Sequence, residues 1–145
     1  MINAKDLFHK ISYLQYPLML IGLYYAVLPY IVGFDTLWDN LNNLLIFMGL
    51  GISFSTLQDT TKVQNEASRR IWENPKKGKT FLTFMSVATL VFIVLGLIGY
   101  LASPHEVLQE LSFGLIVLGI GFMGMVKSAV EMFENHRKDR PSLQE

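Results

Sequence analysis

The chain has 145 residues, 51% of them hydrophobic, and its twelve Lys and Arg balance twelve Asp and Glu. With no cysteine, disulfides, thiolate nucleophiles and Cys-based metal or haem sites are excluded. Four apolar stretches use more than half the length, which leaves no room for a separate soluble domain.

The first stretch, Ile11–Val32, follows Lys5 and Lys10. It is too long for the apolar core of a removable signal, and it contains Pro17 and Pro29, both placed near its ends. Gly33, Phe34, Asp35 and Thr36 then make a brief turn into the second stretch, Leu37–Leu57. From Ser53 to Asn74 there is no Gly or Pro, and Glu66 precedes Arg70 by one helical turn. The second helix is therefore expected to continue beyond the membrane surface to about residue 74, where Pro75 and Gly78 break it. Trp38 and Trp72 are expected at opposite membrane interfaces. The third stretch is Thr80–Ala102, and the turn Ser103-Pro104-His105-Glu106 leads to the fourth helix, 107–128. A polar tail, 131–145, ends loosely after Pro141.

Every Lys and Arg lies on one side of these stretches: before the first, between the second and third, or after the fourth. The two brief turns carry only acidic charge, from Asp35, Asp39, Glu106 and Glu110. Basic loops stay in the cytoplasm during insertion, so the pattern predicts both termini inside, in a bacterial inner membrane. A soluble bundle would carry charge on one face of each helix, yet Val87–Tyr100 and Leu111–Val126 have none on any face. The expected fold is all-α, a four-transmembrane-helix bundle in one integral membrane domain, 1–145.

Sliding the sequence by 70 positions superposes Leu20 on Leu90, Tyr30 on Tyr100, Leu41 on Leu111 and Leu45 on Leu115. Ile46 meets Ile116, Gly49 meets Gly119, and Gly51 meets Gly121. This suggests two parallel-repeated helical hairpins, related by an axis along the membrane normal.

No ionisable group falls near mid-membrane, which argues against proton-coupled transport, voltage sensing and intramembrane proteolysis. His9, His105 and His136 are too dispersed for a metal site, and no cofactor is expected. Tyr24 and Tyr25 lie at the same depth as Asn42 and Asn43 on the neighbouring helix, so hydrogen bonds between them are expected, or a polar pore lining. Gly114, Gly121 and Ser128 recur every seven positions, with Gly124 four before Ser128. Asn42, Gly49 and Thr56 repeat the spacing on the second helix, and Gly49, Gly51, Gly119 and Gly121 complete a set of close-packing positions. Arg69, Arg70, Lys76, Lys77 and Lys79 offer a cytoplasmic basic contact suited to anionic lipid.

In architecture, two parallel hairpins with brief outer turns resemble the YiaA/YiaB type of bacterial inner-membrane protein. Val126-Lys127 and Arg137-Lys138-Asp139 occupy comparable places, while that family's Gly-Leu-Trp-Asn-type motif has no counterpart. The small multidrug transporters also have four helices, but their embedded glutamate has no equivalent in Ile11–Val32. Neither resemblance implies a chemistry. The expected function is non-catalytic: packing as a homo-oligomer, or as an accessory subunit of a membrane assembly, with the lipid bilayer and no nucleic acid as surroundings. The alternative is an oligomeric channel or facilitator lined by Asn42, Asn43, Ser53, Ser55 and Thr56.

Overall fold

The computed structural model describes residues 4–61 and 66–139, of which 87% are helical and none is in a strand. The helices are α1 (Ala4–Ser12), α2 (Gln15–Val32), α3 (Leu37–Ser55), α4 (Glu66–Trp72), α5 (Pro75–Ala102) and α6 (Glu106–His136), with a 3₁₀ turn at Phe34–Thr36. Taken as one rod, α1 and α2 form a near-continuous helix, so five helices stand where four were expected. The addition is α4.

Three helices are long and apolar enough to cross a membrane: Asp6–Val32, Pro75–Ala102 and Glu106–His136. The second expected span is the exception. Its helix has 19 residues, about 28 Å at 1.5 Å per residue, but Asp39, Asn40, Asn42 and Asn43 dilute its apolar character. Packing compensates, because α3 is the most enclosed of the long helices, exposing only Trp38, Asp39 and Leu50.

The long helices pack as an open row. α2 lies on α3, α3 on α6, and α6 on α5, while α2 and α5 form no contact of comparable extent. The brief turns gather at one end, called here the acidic end; α1, the end of α6, α4 and the described basic residues gather at the other. With 28 and 31 residues, α5 and α6 are about 42 and 46 Å long, well beyond a hydrocarbon core of about 30 Å. Their excess length meets α4 at the basic end.

Several boundaries differ from expectation for identifiable reasons. α3 does not run on to residue 74. The N–H groups of Thr56, Leu57 and Gln58 bond three residues back, and the Ser53, Ser55 and Thr56 hydroxyls cap carbonyls of their own chain. Such hydroxyls compete with the helical ladder. Asp59 Oδ1 then accepts from the N–H and hydroxyl of Thr61 and turns the chain; the expected continuation through 62–65 lies outside the described residues. Pro75 starts α5 instead of merely ending what precedes it. It occupies the first turn, where its missing N–H costs nothing, and the Asn74 side chain accepts from Lys76 N and Lys77 N at 3.1 Å. The third helix therefore begins five residues before Thr80. Gly78 breaks nothing: it sits inside α5 against the Phe133 ring.

α6 continues to His136, through the first six residues of the segment expected as a polar tail; residues 140–145 lie outside the described residues. The first rod is interrupted at Tyr13–Leu14, where N–H groups bond three residues back, to Lys10 O and Ile11 O. Pro17 explains the interruption, because its ring excludes an N–H to Tyr13 O and crowds that carbonyl. Pro29 lies inside α2, three residues before its end, and its carbonyl accepts from the Gly33 N–H.

Candidate functional site

Three regions hold the residues singled out from the sequence. The first is the seam between α3 and α6. Gly114 N–H donates to Asn42 Oδ1 at 3.1 Å, and Ser128 Oγ donates to Thr56 O at 3.0 Å; both pairs are 72 positions apart. Gly49 and Gly121, between them, also differ by 72 and meet so closely that a Cβ on Gly121 would overlap the Gly49 carbonyl. A constant separation means that the helices run in the same direction. The two seven-residue series, Asn42–Gly49–Thr56 and Gly114–Gly121–Ser128, thus face each other. Gly124 lies beside the Thr56 side chain.

The Gly-x-Gly motifs gain a geometric meaning here. Residues two apart are separated by about 200° around a helix of 3.6 residues per turn, so they face nearly opposite sides. On α3, Gly49 faces α6 and Gly51 faces Met19 of α2; on α6, Gly121 faces α3 and Gly119 faces Ile93 of α5. Each inner helix of the row needs a small residue toward both neighbours, and each motif supplies both. Gly49 accordingly meets Gly121 and not Gly119, its counterpart in the 70-residue superposition.

The second region is the acidic end. A cleft of about 520 Å³ is lined by Asp39, Asn42, Asn43, Tyr100, Glu106, Gln109, Glu110 and Phe113. The expected tyrosine–amide bonds are not formed among the described residues. Tyr24 is 60% exposed, Tyr25 stacks on Phe47 with ring centroids 5.6 Å apart, and the Asn42 carbonyl oxygen is engaged by Gly114. The asparagines instead face α6 and this cleft.

The third region is the basic end, which sequence reasoning largely missed. Trp72, expected at a membrane interface, is 7% exposed and packs with Met85, Ala129 and Phe133, and its indole N–H donates to Ser68 Oγ at 2.8 Å. The overlooked signal was Phe122, Met125, Ala129, Met132 and Phe133, which recur at helical spacing and carry an apolar stripe into the supposed tail. Beside this core lies a cavity of about 420 Å³. Its apolar lining includes Trp72, Phe81, Phe84, Met85, Phe122 and Met125, and its polar lining includes Gln15, Ser55, Thr56 and Ser128.

Charges cluster around the same end. Lys138 closes α6 onto α4, its ammonium 2.7 Å from Glu73 Oε2 and its N–H donating to Glu73 O. That hydrogen bond from Lys138 is the largest cause, and together with the charges of Lys138, Arg69 and His136 it outweighs desolvation and holds the Glu73 carboxyl below its ordinary 4.5. Arg69 and Arg70 are paired with Glu73 and Glu66 on their own face. Lys76, Lys77 and Lys79 are exposed and form no ion pair among the described residues. Their place in the first turn of α5 opposes the helix dipole, which favours anions there. Helix stability therefore does not explain them. Among the described residues, no group of His, Asp and Glu is placed to hold a metal ion.

Compared with protein-family models, curated proteins and solved structures, the chain matches none. The architectural resemblance noted from the sequence gains no support from them.

Proposed function

We propose that this chain is a non-catalytic inner-membrane protein that acts by helix packing, as an oligomer or as an accessory subunit of a membrane assembly. The open row carries the reading: α2 and α5 each pack on one long neighbour and leave the rest of their circumference uncovered. On α5 the exposed hydroxyls of Thr80, Thr83 and Ser86 recur every three residues, each bonded to its own backbone four residues back. Small, internally satisfied side chains of this kind suit close approach by another helix. In this reading all four long helices cross the bilayer, the duplicated hairpins share the seam, and the basic end faces the cytoplasm. Lys76, Lys77 and Lys79 then contact anionic lipid. The channel alternative draws on the cleft at the acidic end, but the Gly49–Gly121 backbone contact closes the seam below it, which weighs against a lumen between α3 and α6.

The test is the mass of the purified chain in nanodiscs or mild detergent. A defined assembly larger than one chain is expected; a monodisperse monomer that captures no membrane protein on mild extraction overturns the proposal. Because the chain lacks cysteine, sidedness is open to single-cysteine labelling. Lys77→Cys should resist an impermeant maleimide in intact spheroplasts, and Asp35→Cys should react.

A further inference from the structure

The short helix α1 has two unlike faces. At about 100° per residue, Leu7, Phe8 and Ile11 fall within an arc of about 100°, and Asp6, His9 and Lys10 fill a similar arc on the opposite side. Such separation suits a helix lying at a boundary between apolar and aqueous surroundings. Yet Leu7 and Phe8 are 45% and 49% exposed, and α1 touches α3 only slightly, so the apolar arc is largely uncovered.

Its height along the row indicates what covers it. Gln15, the first residue of α2, lines the same cavity as Ser55, Thr56 and Ser128. α2 therefore begins level with Lys127, the first charge met on α6 from its apolar middle. Tyr13 and Tyr16 stand at this level, both more than half exposed with ring centroids 6.1 Å apart, as amphipathic rings do at headgroup depth. The 18 residues of α2 are about 27 Å long and fill a hydrocarbon core of about 30 Å without help from α1. Headgroups add only roughly 5–8 Å on each side. An upright α1 would lift Leu7 about 12 Å above Gln15, past the headgroups and into water. The chain supplies a bend. The N–H groups of Tyr13, Leu14 and Tyr16 donate three residues back, and Pro17 has none, so the helical ladder is weakened at this height. Phe8 shares a cleft with Leu57 and Lys127, which holds α1 low against the ends of α3 and α6.

We infer that α1 lies along the membrane surface at the basic end, with Leu7 and Ile11 in the boundary between headgroups and acyl chains. Asp6, His9 and Lys10 then sit among the headgroups, and Tyr13–Pro17 is the hinge. The helix acts as an anchor that fixes how deeply α2 sits. This placement rests on the bilayer reading proposed above. Lipid, and not a second copy, is the occupant, because the apolar arc stands at headgroup height and continues directly into a helix that lipid surrounds. Lys10, beside the arc, suits the phosphates of that layer and reaches them by extending its stem.

The test uses the full chain in nanodiscs, where water reaches both faces, with a bimane label on single cysteines. Leu7→Cys and Ile11→Cys should be quenched at least about twofold more than Asp6→Cys and Lys10→Cys by lipids brominated near the top of the acyl chain, and aqueous iodide should show the reverse order. Pro17→Ala restores an N–H at position 17 and should straighten the rod, moving a label at position 7 toward the iodide-sensitive state. Equal iodide quenching at positions 6 and 7 overturns the inference. A label at position 7 shielded from both quenchers overturns it too, because a protein partner then covers the arc. An unmoved label in Pro17→Ala overturns the hinge. Leu20→Cys, at an exposed position on α2, tells the two readings apart. Lipids brominated deep in the chain should quench it wherever α1 lies, and their failure to do so removes the bilayer placement itself. The paired labels sit on a chain with Pro17 intact, so altered folding of Pro17→Ala leaves that comparison standing.

Discussion

The seam between α3 and α6 and the core at the basic end, where α6 meets α4 and α5, hold α6 to its neighbours by opposite means. At the seam, backbone meets backbone: Gly49 against Gly121, and Asn42 against the Gly114 amide. At the basic end, side chains do the joining, with Trp72, Met85, Ala129 and Phe133 enclosed by Ile71, Leu82, Met125, Val126 and Met132. In the proposed membrane placement, the difference follows from the surrounding solvent. Lipid tails are as apolar as leucine, so burying leucine in a bilayer gains little and close van der Waals approach must join helices. Where water borders the protein, removing apolar area from it drives association. The chain changes its means of cohesion part-way along α6, between Gly124 and Ala129.

Mutations should expose this contrast, the most severe first. Gly121→Leu places a branched side chain where even a Cβ overlaps a carbonyl, so no ordered α3–α6 pair is expected and the purified chain should aggregate or lose its thermal transition. Gly124→Ala, facing the tip of the Thr56 side chain, should remain folded and serves as the control. Phe133→Ala should cost about 3–5 kcal/mol, as for large aromatic deletions. It should act locally: Trp72 emission shifts to longer wavelength while far-ultraviolet circular dichroism keeps most of its helical signal.

A smaller effect is expected at Asn42. Asn42→Ala removes an interhelical hydrogen bond within the seam and should cost about 0.6–1.7 kcal/mol in a detergent unfolding titration. A loss as large as that of Phe133→Ala would show that polar contacts, and not backbone proximity, dominate the seam. The smallest effect belongs to Glu73. Its carboxyl lies below 4.5 in the folded chain, so the stabilisation from Lys138 is present above that value and fades as pH falls through the lower folded midpoint. Lys138→Ala should move the Glu73 midpoint back toward 4.5, as followed by carboxyl carbon chemical shifts, with little change at neutral pH.

The division between what was legible in the sequence and what was not runs along the same line. The seven-residue series of small and polar side chains were visible because glycine is informative inside an apolar run, and the structure sets those series face to face. Three of the expected spans were visible because length and apolarity suffice to identify them. The end of α3 was not, since Ser53, Ser55 and Thr56 favour a helix weakly and act here through their own carbonyls. The basic-end core was missed because polar residues interleave its apolar stripe, so Glu131, Glu134 and Asn135 masked Met132 and Phe133. The partners of Asn42 and Asn43 were misjudged because depth alone was compared. Rotation around α3 turns these side chains toward α6 and the acidic cleft, away from the tyrosines.

The enclosed polarity of α3 also bears on how the protein is made. A segment carrying Asp39 and three asparagines partitions poorly into hydrocarbon by itself, yet its neighbours α2 and α6 leave the ribosome on either side of it in time. While α6 is still unsynthesised, Asn42 lacks its partner at Gly114. In the proposed four-span placement, insertion of the first hairpin is therefore expected to be completed only when the last helix arrives.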